Sequence, residues 1–155
     1  MRVRELDLPE PFELGAFCEL LARRRGRPIE LWPLAGLGGR TQGAWIATSA
    51  ADIIVYEERT TRVHQAHIVL HELSHIICGH EADVGGETGA LFPDLSDDMV
   101  RGVLQRHSYA TREEREAEIL ASLIYERARP VNAGNAGIPA ADPALSQRLE
   151  AFRRA

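Results

Sequence analysis

Two histidines stand four residues apart in the segment His71-Glu72-Leu73-Ser74-His75, inside an apolar run formed by residues 68–70 and 76–77. Side chains four residues apart on a helix project from the same face, one turn above the other. Both imidazoles can therefore reach one metal ion, with the Glu72 carboxylate beside it to take a proton from a bound water molecule. The segment predicts a largely buried helix that carries a metal site.

The composition of the 155-residue chain is that of a single globular domain. Apolar residues make up 45% and charged residues 26%, a balance that disfavours a disordered chain or a membrane protein. The net charge of −5 gives no general attraction to nucleic acid. Direct DNA binding is therefore not expected.

Cysteine content and the first residues predict a cytoplasmic protein. Cys18 and Cys78 are the only two cysteines, too few for a disulfide framework. No apolar stretch reaches membrane-spanning length, and Met1 to Glu5 lead into no signal-peptide core. Cys78 lies on the same helical face as the two histidines, where we expect a buried thiol that fills a core position.

The first part of the chain predicts one helix and three short strands. A helical apolar pattern runs from Phe12 to Arg25 and stops at Gly26-Arg27-Pro28. Turn residues then separate three short apolar segments that predict strands, at 29–33, 44–47 and 52–56. The last two are expected to form an antiparallel pair.

Helices dominate the remainder of the chain. Thr60 or Thr61 caps the predicted metal helix, which runs from about Arg62 to Cys78 and ends at Gly79. The further predicted elements are a loop at 81–93, a short helix at 96–106, a stronger helix at 112–129, a linker at 131–142 and a last helix at 143–154.

The order of these elements predicts an α+β fold, because the strands cluster instead of alternating with helices. We expect a mostly helical domain with a small antiparallel sheet of about three strands packed on the metal helix. Residues 1–130 are expected to form this single domain, and residues 131–155 a linker and a short C-terminal helix.

A catalytic zinc site needs a third protein ligand besides the two histidines. Downstream candidates are His80, Glu81, His107, Glu113, Glu114, Glu116 and Glu118. Glu114 and Glu118 are four residues apart on one predicted helix and face the same way. One of them can bind the metal while the other accepts a hydrogen bond from a ligand histidine.

Glu114 also has a possible role in helix capping, which leaves the identity of the third ligand open. The segment Thr111-Arg112-Glu113-Glu114 has the pattern of a capping box, in which Glu114 would reach back to the backbone of Thr111. Glu118 or Glu116 would then be the third ligand in place of Glu114.

The histidine segment is followed roughly forty residues later by Glu114-Arg115-Glu116-Ala117-Glu118-Ile119-Leu120-Ala121. Together they resemble the ImmA/IrrE family of bacterial metallopeptidases, in which a helix with Glu-x-x-Ala-Asn-or-Asp and a following Phe-Ala-like pair supplies the third ligand. The similarity covers about residues 40 to 126. The matching positions are Glu114, Ala117 and Ala121, and the departures are Glu118, where Asn or Asp is expected, and Leu120, where Phe is usual.

The resemblance implies a zincin-like core and a zinc-dependent endopeptidase. Zn²⁺ would be held by His71, His75 and Glu114, with Glu118 hydrogen-bonded to His71 and Glu72 acting as general base. Members of the family often cleave or antagonise a helix-turn-helix repressor encoded nearby, so such a repressor is the implied partner and substrate.

Three further expectations concern the reaction. Tyr109 or His107 is a candidate hydrogen-bond donor to the oxyanion formed during peptide hydrolysis. An extended substrate would add to an exposed sheet edge at Ala44–Ala47. The alternatives to a peptidase are a non-catalytic zinc-binding regulator or toxin-like partner of a repressor, and a hydrolase of small amides with the same metal chemistry.

Overall fold

The computed structural model describes residues 6–37, 42–48, 50–82 and 109–128. Within these ranges the chain forms helices α1 (Leu14–Arg25), α2 (Arg62–Cys78) and α3 (Thr111–Arg127), and strands β1 (Ile29–Leu34), β2 (Gly43–Ala47) and β3 (Asp52–Glu57). The α+β class is therefore confirmed. The helix predicted at 96–106 and the linker and helix predicted over 131–155 lie outside the described residues.

Local sequence signals set both ends of α2. The Thr61 hydroxyl accepts a hydrogen bond from the backbone N–H of His64 at 3.2 Å, which satisfies one of the donors that a helix leaves free at its start. At the other end Gly79 adopts a left-handed conformation with φ of 76°, which glycine reaches without strain. The predicted span of 62–78 is confirmed.

The three strands form a mixed sheet in the order β1-β3-β2. The antiparallel pairing of β2 with β3 is confirmed, but β1 runs parallel to β3, so the prediction of a purely antiparallel sheet was wrong in this respect. The reason is topological. The chain reverses direction after β1 and again after β2, and β3 then enters between the two, where it must run in the direction of β1.

Buried carboxylates lie at both ends of the central strand β3. Asp52 is fully buried and accepts hydrogen bonds from Arg25 Nε at 2.8 Å and Trp45 Nε1 at 3.0 Å, which ties the end of α1 to the sheet. Glu57 accepts hydrogen bonds from the backbone N–H groups of Gly36, Leu37 and Arg59. Burial raises the pKa of Glu57, but these donors outweigh it, and the net pKa lies below its ordinary value.

Helix α2 is the central element, because it packs against β2 and β3 on one side and against α3 on the other. Its apolar side chains, among them Leu70, Leu73 and Ile76, join Ala121 and Ile124 of α3 in the core. This burial fixes the two helices against each other, and so fixes the polar side chains at their contact. Among the described residues no helix is both long and apolar enough to cross a membrane.

Candidate metal centre

His71, His75 and Glu114 meet between α2 and α3. The Nε2 atoms of the two histidines are 3.3 Å apart. Glu114 lies 3.1 Å from His71 Nε2 through Oε2 and 3.3 Å from His75 Nε2 through Oε1. Ligand atoms around a tetrahedral zinc ion are about 3.3 to 3.8 Å apart, given metal–ligand distances of about 2.0 to 2.3 Å. The three side chains therefore fit a single ion with little rearrangement.

The position of Glu114 removes its predicted capping role. Helix α3 begins at Thr111 with Ala110 as the N-cap residue, and no side chain caps it. The helix thus starts one residue earlier than predicted, so Glu114 falls outside the reciprocal position of a capping box. Its carboxylate faces the two histidines instead.

Glu118 lies one turn further along α3 and contacts two histidines of α2. Its Oε2 is 3.0 Å from His71 Nδ1, and its Oε1 is 3.1 Å from His67 Nε2. A hydrogen bond from His71 Nδ1 to Glu118 leaves the lone pair of Nε2 directed toward Glu114 and His75, as metal ligation requires. His67 was missed from the sequence, although it precedes His71 by four residues and so shares the helical face.

The second ring nitrogen of His75 contacts a further histidine. His75 Nδ1 is 2.8 Å from His80 Nδ1, and His80 Nε2 is 3.0 Å from Glu116 Oε2. Two hydrogen bonds lower the pKa of Glu116: the larger effect comes from His80 and the smaller from Arg112. If His75 Nε2 binds a metal, its Nδ1–H donates to His80, whose Nε2–H donates to Glu116. In that arrangement His80 and Glu116 would orient a ligand of this site without binding the metal there.

The remaining candidates are distributed as follows. Glu81 and Glu113 belong to neither group of potential ligand atoms that lie close together among the described residues. His107 lies outside the described residues. Tyr109 stacks on the His75 imidazole, with ring centroids 3.7 Å apart and planes inclined by 14°, and its hydroxyl is buried. The structure thus brings Tyr109 to the site, while its predicted donor role stays a prediction.

Cys78 does not fill a core position, and that prediction was wrong. It is the last residue of α2, and its side chain is exposed. Cys18 is the buried thiol. Its pKa is raised to about 12, mainly by burial and to a smaller extent by the negative charge of Glu19.

Glu72 is a buried side chain on the face of α2 that meets β2. Gly43 at the start of β2 permits this contact. A Cβ atom at Gly43 would lie 2.5 Å from Ile68 Cγ2, 3.1 Å from the Val55 carbonyl oxygen and 3.5 Å from Glu72 Cγ. The absence of a side chain on Gly43 therefore lets the strand approach the helix next to Glu72.

Gly43→Ala is expected to lower the free energy of unfolding by about 1 to 3 kcal/mol, because the new methyl group overlaps both a packed side chain and the backbone. Denaturant unfolding of the two proteins measures the difference. An unchanged free energy of unfolding would show that β2 and α2 move apart without cost.

Glu118→Gln is expected to weaken metal binding by about 10- to 100-fold, because one carboxylate oxygen that accepts a hydrogen bond from a histidine becomes an amide group. Competition with a chromogenic chelator measures the affinity. Glu113→Gln is the matched control, because Glu113 lies on the same helix and belongs to neither group of potential metal ligands. Equal affinities in the two variants would exclude an orienting role for Glu118.

Comparisons of the chain with protein-family models, with curated proteins and with solved structures found no match. The geometry of this site and the sequence pattern that builds it are therefore the basis for the function proposed below.

Proposed function

We propose that the chain is a zinc-dependent endopeptidase of the ImmA/IrrE type that its sequence resembles. The observation that carries the proposal is the arrangement of two imidazole nitrogens and one carboxylate with separations of 3.1 to 3.3 Å. Two imidazoles and a carboxylate are the donor set of many hydrolytic zinc sites, with the fourth position left to water or substrate. Zinc suits these ligands well.

The proposed mechanism assigns each side chain a task in peptide hydrolysis. Bound zinc supplies a Lewis acid that polarises the scissile carbonyl and lowers the pKa of water to about 7. Glu72 accepts the proton of the attacking water and passes it to the nitrogen of the leaving amine. Tyr109, or His107, donates a hydrogen bond to the developing oxyanion.

Substrate binding is assigned to strand β2. It lies at an edge of the three-stranded sheet and among the described residues pairs only with β3. An extended peptide that adds to this edge would run beside α2, past the position of Glu72. The proposed substrate is a helix-turn-helix repressor encoded nearby, and the proposed location is the cytoplasm.

The experiment is a cleavage assay on purified repressor encoded by the neighbouring gene. Three preparations are compared by mass spectrometry: the zinc-loaded protein, the chelator-treated protein and the same protein after zinc is restored. We expect cleavage at one or a few peptide bonds that is lost with the chelator and regained with zinc. Stable binding of the repressor without cleavage would contradict the peptidase and favour a non-catalytic regulator.

A further inference from the structure

A second group of potential ligands lies beside the first. The ligand atoms of Cys78, His80 and Glu116 all lie within 4.8 Å of one another. Cys78 ends α2, His80 lies two residues further along the chain, after Gly79, and Glu116 belongs to α3. We propose that these three side chains bind a second transition-metal ion, such as zinc or cobalt, at a site distinct from that of His71, His75 and Glu114.

The donor set selects the class of ion. A thiolate, an imidazole and a carboxylate suit zinc and cobalt, whereas magnesium and calcium require oxygen donors. Cys78 and Glu116 are exposed, so an ion from solution has direct access and water completes its coordination.

The backbone holds two of the three ligands close together. The N–H of His80 donates to the His75 carbonyl oxygen at 3.0 Å, which fixes the residue against the end of α2. His80 Nε2 already lies 3.0 Å from Glu116 Oε2. Ligand atoms must come within about 4 Å of one another around a tetrahedral ion. The Cys78 Sγ atom lies within 4.8 Å of the ligand atoms of His80 and Glu116, so only a small further approach is needed.

His80 links this site to the first one, and this step rests on the proposed function. When His75 binds zinc through Nε2, its Nδ1–H points at His80 Nδ1, 2.8 Å away. A second ion on His80 Nε2 requires the hydrogen of that ring to be on Nδ1, where it faces the hydrogen of His75. Two donors cannot share this contact, so an ion at either site weakens binding at the other. We expect the site of the exposed Cys78, which has one imidazole ligand against two, to be the weaker of the pair.

The test is a titration of the metal-free 155-residue chain with Co²⁺ under reducing conditions, monitored by absorption spectroscopy. A thiolate bound to cobalt gives an intense near-ultraviolet charge-transfer band, which a site of histidine and glutamate lacks. We expect the band to appear with the second equivalent of cobalt. It should disappear in Cys78→Ser and persist in Cys18→Ala, the matched control for the buried thiol.

Two outcomes would overturn the proposal: no band in the wild type, or a band that remains in Cys78→Ser. Circular dichroism shows that each variant is folded before titration. Glu114→Gln separates this proposal from the proposed function, because it removes the first binding phase while the thiolate band remains. A band in that variant supports the second site even if the first site fails.

Discussion

Replacing Glu72 with glutamine is expected to lower kcat for repressor cleavage by about 10²- to 10⁴-fold, because the amide cannot accept the proton of the attacking water. Zinc content and thermal stability should remain those of the wild type. Glutamine preserves the size of a side chain that packs against Gly43, and Glu72 is not a ligand in the proposed site. Single-turnover cleavage followed by mass spectrometry measures the rate.

The matched control is Glu113→Gln, which also removes one carboxylate charge, at a residue of α3 that belongs to neither group of potential metal ligands. Wild-type cleavage by Glu72→Gln would exclude Glu72 as the general base. If repressor-dependent regulation survives in Glu72→Gln while cleavage is lost, the biological function lies in binding.

Removing zinc with a chelator is expected to lower the free energy of unfolding by about 4 kcal/mol relative to the protein in zinc at a thousandfold excess over its dissociation constant. For a chain of this length the melting temperature should fall by about 10 °C. The physical reason is that the ligands come from α2 and α3, so the ion joins the two helices only in the folded state. Calorimetry with and without chelator measures both quantities.

The measurement is made in the Cys78→Ser background, which removes any contribution of the second site. Glu114→Gln in the same background should show no difference between zinc and chelator. If the melting temperature of the Cys78→Ser variant, which retains Glu114, does not depend on zinc, the two helices do not share a metal site.

Both ends of α2 could be predicted from the sequence, because its limits depend on local chemistry. Thr61 supplies the N-cap and Gly79 the left-handed turn, so no distant contact is needed to place either end. The common face of His71 and His75 followed from helical periodicity alone.

Contacts between distant segments were harder to predict. The direction of β1 depends on β3 entering between β1 and β2, which no local pattern encodes. The choice among Glu114, Glu116 and Glu118 as third ligand depends on how α3 packs against α2. The structure places the Glu114 carboxylate next to the Nε2 atoms of both His71 and His75. The contacts of His67 and His80 were not predicted for the same reason, since each histidine meets a carboxylate of α3.

The central claim is that His71, His75 and Glu114 bind one ion. Elemental analysis after gel filtration tests it directly in the wild type, Glu114→Gln and Glu113→Gln. The predicted result is about one tightly bound zinc ion per chain in the wild type and in Glu113→Gln, with most of it lost in Glu114→Gln. Equal zinc content in all three proteins, or none in the wild type, would contradict the account.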